Sequence, residues 1–564
     1  MAYDLIIRNG RIIDGSGMPS FHGDVAVQDG KIVEIGKFSG SAARVIDAEG
    51  LAVSPGFIDN HTHFDAQVLW DPLCTSSCWH GVTTVVMGNC GLAIAPAKPQ
   101  DGDTLLRMLS RIEAIPIDAL RSGVEISWNS IGEYLRTVER RLGVNVGSLI
   151  GHSAVRQYVL GDEASERQAT AEEIAAMQDI IRGGMRDGAL GFTTNQNPNH
   201  INDEGKPVPS VIAPDDEILA LGEVLSEFGS GVLQTSGAGT DRLVPNFELS
   251  KQLARRSGRP VVWLSIQHRW SQPDAWREQL QMAEKAFQEG FRAYPLSSPR
   301  RNNTRFTMQN AQIFDGLPSW RPIMLKSLEE KLAAFADPEV RKQLWHDAVE
   351  SSIATTFSRR WDLLFVTKPQ LPHNQALLGK SIAEIADERG QNVLDTFLDL
   401  AVEEKLETGF EINQINGDDE AVASILRNPH TLVGLSDAGA HVVFDAGYGY
   451  CTRFLGYWVR EKEIMPLEEA VRKLTFMSAS VFGLHDRGLL RPGLAADITI
   501  FDPDTIAARD PEVVYDLPGG GQRLMQHADG IHCTIVNGTV LTENGQHTGA
   551  YPGQLMRNAS AQVH

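Results

Sequence analysis

Cysteine is scarce in this chain of 564 residues, and its spacing does not suggest disulfides. The five cysteines are an odd number, in a chain much longer than the secreted domains that disulfides hold together. Cys74 and Cys78 are separated by helical spacing, but no second pair follows to complete a zinc site, and one helix face explains them better. The sequence therefore indicates a reducing compartment, and we expect a cytoplasmic protein.

Positive charge and long apolar runs are also lacking. The formal net charge of -21 disfavours binding to nucleic acid or anionic membranes, which requires clustered Lys and Arg. One compact group, Arg300, Arg301 and Arg305, is more typical of a solvated face than of a phosphate site. No apolar run is long enough to span a membrane, and residues 1–15 do not resemble a signal peptide. We therefore expect a small-molecule partner, and neither nucleic acid nor a membrane.

The two ends of the chain share a hairpin-rich pattern. Asn9-Gly10 and Asp29-Gly30 near the start, and Asn537-Gly538 near the end, separate short apolar runs as tight turns do. Residues 497–501 add a further strand candidate. We therefore predict one small β-sandwich domain, built from residues 1–55 and 485–564, that encloses a larger domain between its two parts.

Residues 56–484 alternate short β-branched runs with helical stretches, as parallel βα units do. Thr170 is a helix N-cap candidate, because acidic residues fill the turn that follows it. The eight predicted strands are Gly56–His61, Thr83–Cys90, Val146–His152, Ala189–Thr194, Gly231–Ser236, Pro260–Gln267, Gly290–Leu296 and Leu432–Asp437. Eight such units predict an α/β fold of the (β/α)8 TIM-like barrel type.

Two connections in the predicted barrel are unusually long, at about 91–145 and 298–430. Both follow strands, so we expect them on the C-terminal face, where active sites of this fold lie. They are candidates for a lid or a pocket wall. For the helical pattern from Leu328 to Trp345, a packing or oligomer contact is an equal alternative, and a homo-oligomer is compatible with the sequence.

Two motifs at strand ends predict a metal site. His61 and His63 alternate along an extended strand, so both imidazoles point to one side and can share a metal ion. Asp437 ends the eighth strand, which lies beside the first in a closed barrel. Its carboxylate can bind the metal through one oxygen and act as a general base through the other. A helix cap is the alternative role for Asp437.

Further motifs lie along almost the whole chain. They are His61-Thr62-His63, Gly88-Asn89-Cys90-Gly91, Gly151-His152-Ser153, Ser436-Asp437 and residues 488–497. On these motifs the chain resembles the N-acyl-D-amino-acid deacylase (D-aminoacylase) branch of the amidohydrolase superfamily, amidohydrolase family 3. The resemblance implies a hydrolase of linear non-peptide amides, in which Cys90 is a metal ligand where relatives use a carboxylated lysine. Zinc suits these His, Cys and carboxylate ligands, and other divalent first-row metals bind such sites too.

Strands five and six depart from this branch, whose deacylases bring one metal-binding His from each of them. Here strand five ends in residues 234–236, which contain no His, and His268 lies about three residues beyond the expected position in strand six. We therefore expect one zinc ion per chain, held by His61, His63, Asp437 and Cys90. His268 is a candidate for a shifted ligand or an acid/base residue.

A second departure concerns the substrate. The branch's deacylases follow the strand-eight Asp with a His-Pro-Arg that grips the substrate carboxylate, and this chain lacks that tripeptide. His441 and Arg453 are candidates to replace it, although Arg453 also suits a structural position at a helix start. A neutral amide, lactam or carbamate therefore stays open as an alternative to an N-acyl amino acid.

Other polar residues follow predicted barrel strands. His152 can orient the substrate or its oxyanion, or can simply pack in the core. Asn195 begins a polar loop, with Gln196, Asn197 and His200, that suits a substrate carbonyl. The tryptophans at positions 263, 270 and 276 can line an apolar pocket or belong to the core.

These observations predict hydrolysis of an amide by metal-bound hydroxide. Asp437 would take the proton of the water and pass it to the leaving nitrogen. One alternative keeps the fold and changes the reaction, to ring opening of a cyclic amide or lactone, or to deamination. Another is a non-catalytic scaffold, but scaffolds with this fold typically lack the metal-binding His pair that this chain retains.

Overall fold

A nine-stranded sheet joins the two ends of the chain in the computed structural model, which describes residues 3–236, 243–351 and 357–561. With strands numbered along the chain, the sheet contains β1 Tyr3–Ile12, β2 Phe21–Gln28, β3 Lys31–Gly36, β4 Ala42–Asp47, β5 Ala52–Pro55, β17 Ile498–Phe501, β22 Ile531–Val536, β23 Thr539–Glu543 and β24 Gln546–His547. β17 pairs antiparallel with β5, so Thr499 lies opposite Ser54. Both ends of the chain therefore share one β-domain.

Two of the three predicted tight turns are confirmed. Asp29-Gly30 and Asn537-Gly538 are two-residue turns with positive φ at every position, and they join β2 to β3 and β22 to β23. The turn predicted at Asn9-Gly10 is wrong, because β1 runs straight through it with a register shift. Asn9 still adopts a φ of 60°, since its backbone and side-chain nitrogens donate to Asp24 and Asp47 at 2.9 and 3.0 Å. Left-handed geometry here forms a β-bulge.

Eight parallel strands form the barrel, and each overlaps a strand predicted from sequence. They are β6 Phe57–Asp59, β7 Val82–Met87, β8 Asn145–Gly151, β9 Gly191–Asn195, β10 Val232–Ser236, β11 Val261–Leu264, β12 Ala293–Ser297 and β16 Leu432–Val433. The first and last strands meet just beyond their ends, where His63 N donates to Ala438 O at 2.7 Å and Asp437 N to His61 O at 3.2 Å. The fold class, a TIM-like barrel with a β-sandwich domain, is as predicted.

Helices surround the barrel and fill its long connections. They are α1 Gly102–Glu113, α2 Ile117–Gly123, α3 Ile131–Val138, α4 His152–Leu160, α5 Ala171–Asp187, α6 Asp215–Glu223, α7 Leu243–Ser257, α8 Ala275–Gln288, α9 Arg321–Met324, α10 Leu328–Ala336, α11 Pro338–Trp345, α12 Ile382–Arg389, α13 Val393–Glu403, α14 Asp419–Arg427, α15 Tyr450–Arg453, α16 Leu467–Leu474 and α17 Phe476–Phe482. The predicted N-cap is confirmed, because the Thr170 hydroxyl accepts from Glu173 N at 3.2 Å and the Glu173 carboxylate accepts from Thr170 N at 2.8 Å. Among the helices of the described residues, none is long and apolar enough to cross a membrane.

The connection after β12 builds a unit with its own core. Its three-stranded sheet has the order β13 Asn302–Phe306, β15 Gly409–Ile415 and β14 Leu364–Lys368. Phe314, Trp320 and Phe397 pack in the core beside this sheet. Short strands β18 Ala507–Ala508, β19 Glu512–Leu517, β20 Gly521–Met525 and β21 Ala528–Asp529 complete the described structure. This unit and the helices α1 to α3 follow barrel strands, so both adjoin the C-terminal face.

Candidate active site

Four potential metal ligands meet where β6, β7 and β16 end. His61 and His63 are buried, and their Nε2 atoms lie 3.4 and 3.1 Å from Asp437 Oδ1. Cys90 Sγ lies 3.7 Å from His61 Nε2. The ligand atoms of His61, His63 and Cys90 all fall within 4.8 Å of one another. The structure therefore brings together the four side chains that the sequence singled out as ligands.

Unusual backbone conformations aim these side chains into the barrel mouth. Cys90, Asp437 and His441 have φ values of 54°, 59° and 54°, in the left-handed region that residues other than glycine rarely adopt. Gly439 has a φ of 89°, and a Cβ atom there would lie 2.6 Å from the His63 carbonyl oxygen. The loop after β16 can therefore approach β6 this closely only with glycine at position 439.

Opposite charges stabilise one another in this cluster. Burial alone would raise the pKa of Asp437, but hydrogen bonds from His61 and His63 hold that pKa well below its usual range. Burial also works against the Cys90 thiolate, yet the charge of His61 lowers the pKa of Cys90. Although burial disfavours the imidazolium, Cys90 and Asp437 raise the pKa of His61 to about 9. The environment thus favours the carboxylate and thiolate forms that bind metals, so the donor set fits a divalent ion such as zinc.

Glu113, the last residue of α1, also belongs to the cluster and was not identified from sequence. Its Oε1 lies 3.4 Å from His63 Nδ1 and its Oε2 lies 3.9 Å from His441 Nε2. His441 Nε2 is in turn 3.8 Å from Asp437 Oδ2. Two carboxylates and two imidazoles therefore alternate around a closed ring. No local pattern marks Glu113, because only the packing of α1 over the barrel mouth brings it here.

The cluster opens into a cavity of about 200 Å³. Two arginines, Arg269 and Arg300, line this cavity, and their partners differ. Arg300 is paired with Asp445, with 3.0 Å between Nη1 and Oδ1. Arg269 donates to the Gln267 side-chain oxygen at 3.1 Å. In the part of the chain that the structure describes, no carboxylate forms an ion pair with Arg269, so its charge faces the cavity without an acidic partner.

Of the predicted substrate-binding residues, Asn195 and His441 line this cavity. The Asn195 side-chain nitrogen lies 2.5 Å from His200 Nδ1, and Asn197 and His200 line the cavity as well. The polar loop after β9 is therefore at the site, as the sequence indicated. Gln196 is turned away, because its side-chain nitrogen donates to the Thr194 hydroxyl at 2.8 Å.

The structure does not bring His152, His268 or Arg453 to the cavity. Both ring nitrogens of His152 have protein partners, Thr194 at 2.8 Å and Glu217 at 2.9 Å. His268 packs against Trp270, with ring centroids 4.7 Å apart, while the residues on either side of it face the cavity. Arg453 lies over the Tyr457 ring at 4.3 Å and borders a separate cavity.

The remaining residues that the sequence singled out lie outside the cluster of proposed metal ligands. Cys74 and Cys78 are buried thiols, and the described residues contain no second group of three metal-binding side chains beyond the cluster above. Arg301 and Arg305 form ion pairs with Asp419 and Glu411. Of the three tryptophans, Trp263 lines the cavity, Trp276 is buried in the core and Trp270 donates to Asn413 Oδ1 at 3.0 Å.

Comparison with known proteins identifies the family to which this chain belongs. The family model described as "Amidohydrolase family" matches residues 44–542. D-aminoacylase from Alcaligenes xylosoxydans xylosoxydans is 29% identical over 563 residues, which cover 99% of this chain and 98% of that protein. A solved structure of D-aminoacylase, studied for its binuclear metal centre, has 28% identity and a TM-score of 0.68 over 98% of this chain and 100% of that one. N-acyl-D-glutamate deacylase from Bordetella bronchiseptica, complexed with zinc and a phosphonate inhibitor, has 26% identity and a TM-score of 0.67 over 99% of this chain and 100% of that one. This chain belongs to the amidohydrolase family.

Proposed function

We propose that this protein is a metal-dependent deacylase that hydrolyses the amide bond of an N-acyl-D-amino acid to a carboxylic acid and an amino acid. The observation that carries the proposal is one cavity that contains both the His61, His63, Cys90 and Asp437 cluster and the Arg269 guanidinium. The first supplies the chemistry of amide hydrolysis, and the second supplies a charge partner for a substrate carboxylate. We infer the D-configuration of the substrate because the similar proteins are a D-aminoacylase and an N-acyl-D-glutamate deacylase.

One divalent ion per chain, zinc by preference, would be held by His61, His63, Asp437 and Cys90. Such an ion polarises a carbonyl and lowers the pKa of water towards neutrality. The ends of β10 and β11 offer Ser236 and Ser265 to the cavity, and neither is a usual zinc ligand. A mononuclear site therefore suits this chain, in contrast to the binuclear metal centre of D-aminoacylase.

Asp437 is positioned to move the proton that the reaction requires. Its carboxylate form is favoured, since His61 and His63 both contact Oδ1 while Oδ2 faces His441. It would accept a proton from the attacking water and return it to the leaving nitrogen. Asn195 is held by its contact with His200 and offers a polar group to the bound amide.

Arg269 would bind the substrate carboxylate, a role for which the sequence suggests His441 and Arg453. A guanidinium matches a carboxylate with two parallel hydrogen bonds, and it stays charged even where burial lowers its pKa, as it does here. The other arginine of the cavity, Arg300, already has Asp445 as its partner. A neutral amide would leave Arg269 without a counter-charge, so the site favours an acid.

The test compares an N-acyl-D-amino acid with the same amide carrying methyl in place of the carboxylate, both with zinc-loaded enzyme. We expect kcat/KM to favour the acid by about 10- to 100-fold, the range for a hydrogen bond to a charged group. The variant Arg269→Gln should lose that preference. Arg301→Gln is the matched control, because Arg301 is paired with Asp419 outside the cavity. Equal turnover of acid and neutral amide by the wild type would overturn the proposal.

A further inference from the structure

A second chamber of about 220 Å³ adjoins the catalytic cavity on the side of the long insertion. The two spaces share walls made by Ile112, Asn197, His200, Asn302 and His441. His441 is the residue whose ring lies 3.8 Å from Asp437, so the chamber begins beside the reacting groups. A substrate bound at Asp437 can therefore extend into it.

Apolar side chains from four separate segments face this chamber. They are Ile112 of α1, Ile201 after β9, Phe306 and Ile313 of the long insertion, and Phe444 after β16. Phe306 and Ile313 line the chamber and have only 7% and 4% of their surface exposed. Uncharged polar side chains such as Asn199, Thr304 and Gln312 also line the chamber, so the five apolar residues provide apolar contact at part of its wall.

The charged residues of the chamber wall are neutralised within the protein. They form three ion pairs, Arg111 with Asp315, Arg305 with Glu411, and Asp445 with Arg300. Such pairs leave little free charge for a ligand, in contrast to Arg269 in the catalytic cavity. The chamber therefore suits an uncharged group, with apolar contacts to the five side chains above and hydrogen-bonding groups beside them.

We propose that this chamber binds the acyl tail of the substrate, and that the preferred acyl group is an apolar chain longer than acetyl. The inference rests on the proposed deacylase function. In an N-acyl amino acid, the carboxylate and the amino-acid side chain lie on the nitrogen side of the amide, and the tail lies on the carbon side. Arg269 lines the catalytic cavity but not the chamber, so the carboxylate end and the chamber are separate. The chamber is thus assigned to the tail.

The test is a series of zinc-loaded assays in which the D-amino acid is fixed and the acyl group grows from acetyl to decanoyl. Burial of one methylene contributes about 0.8 kcal/mol, so kcat/KM should rise about fourfold per carbon until the chamber is full. A second series, with acetyl fixed and the amino-acid side chain lengthened, reports on the nitrogen side of the amide.

Variants then connect the acyl preference to the chamber. Ile313→Trp, which narrows the chamber, should lower kcat/KM for octanoyl at least tenfold more than for acetyl, whereas the side-chain series should keep its slope. Ile313→Ala provides a second variant if the larger residue prevents folding, and it should shift the optimum to longer tails. Leu325→Trp is the control, because Leu325 belongs to the same insertion, is 47% exposed and does not line the chamber.

The outcomes separate this inference from the proposed function. Hydrolysis of every member with no dependence on tail length would overturn the acyl chamber and leave the deacylase proposal standing. An equal response of Ile313→Trp and Leu325→Trp would do the same. Absence of hydrolysis with all members of both series would overturn the proposed function, and the chamber assignment with it.

Discussion

Glu113 is placed to influence the proposed metal site from outside the set of four proposed ligands. Its carboxylate lies 3.4 Å from the Nδ1 atom of His63, whose Nε2 atom faces Asp437 and the other ligands. A carboxylate in this position fixes the orientation and tautomer of a metal-binding imidazole. Because Glu113 also faces His441, it links helix α1 to both sides of the cluster.

Glu113→Gln should therefore weaken zinc binding by about 10- to 100-fold, the usual effect of removing such an outer partner, while the fold is retained. Competition with a zinc chelator measures the affinity, and circular dichroism checks the fold. Glu163→Gln is a suitable control, since the Glu163 side chain is 60% exposed and pairs with surface Arg167. An affinity equal to that of the control would contradict this role for Glu113.

At the residue scale, the sequence allowed prediction only where a local rule places a side chain. His61 and His63 were identifiable because alternate residues of a strand share one face, and Asp437 because the last barrel strand adjoins the first. His268 shows the limit of this reasoning. Its neighbours Gln267 and Arg269 line the cavity, whereas His268 packs against Trp270.

At the scale of elements, the loop after β16 depends on one glycine. The φ of 89° at Gly439 and its approach to the His63 backbone allow Asp437 to face both imidazoles. A side chain at this position would displace the loop, since backbone atoms of His63 cannot rotate away. The loop geometry therefore determines the geometry of the ligands.

Gly439→Ala should lower both zinc affinity and stability. A non-glycine residue with positive φ is destabilised by about 1–3 kcal/mol, and the contact with His63 adds to this. Gly493→Ala separates the two causes, because Gly493 has a similar φ of 91° with nothing within 4 Å of an added Cβ. Urea unfolding and zinc titration of both variants provide the measurement. Equal losses in the two variants would show that the contact with His63 is unimportant.

The eight barrel strands were predictable because most are buried β-branched runs that alternate with helical stretches. The Asn9-Gly10 turn was not, because the same dipeptide forms either a turn or a bulge, and here Asp24 and Asp47 hold it within β1. Local sequence patterns also could not predict the fold of the insertion after β12. In its sheet β13 pairs with β15, and the two strands are separated by about a hundred residues of sequence.

At the scale of the whole molecule, metal binding should couple to stability and to pH. Cys90 and Asp437 raise the pKa of His61 to about 9, so below that pH the imidazole must lose a proton before it can bind a metal. Competition from protons weakens as the pH rises. The pKa of His63 is also raised well above its usual value, although burial opposes this, because Glu113 and Asp437 lie beside it. The stabilisation by zinc should therefore increase from pH 6 to 9.

Melting temperatures with excess zinc and with chelator, measured at intervals from pH 6 to 9, test this coupling. A ligand that binds only the folded state raises the free energy of unfolding by RT ln(1 + [L]/Kd), so the zinc-dependent increment reports the apparent affinity at each pH. An increment that is constant across this range would mean that proton release from His61 does not accompany binding.

The shared β-domain has a consequence for biosynthesis. Ser54 of β5 contacts Thr499 of β17 across 445 positions of the chain. At typical elongation rates of about 5–20 residues per second, the ribosome needs roughly 20 to 90 s to supply the partner of β5. Throughout that interval the nascent chain carries an unpaired strand edge, a template for aggregation. The native sheet cannot cover that edge of β5 until β17 has been synthesised.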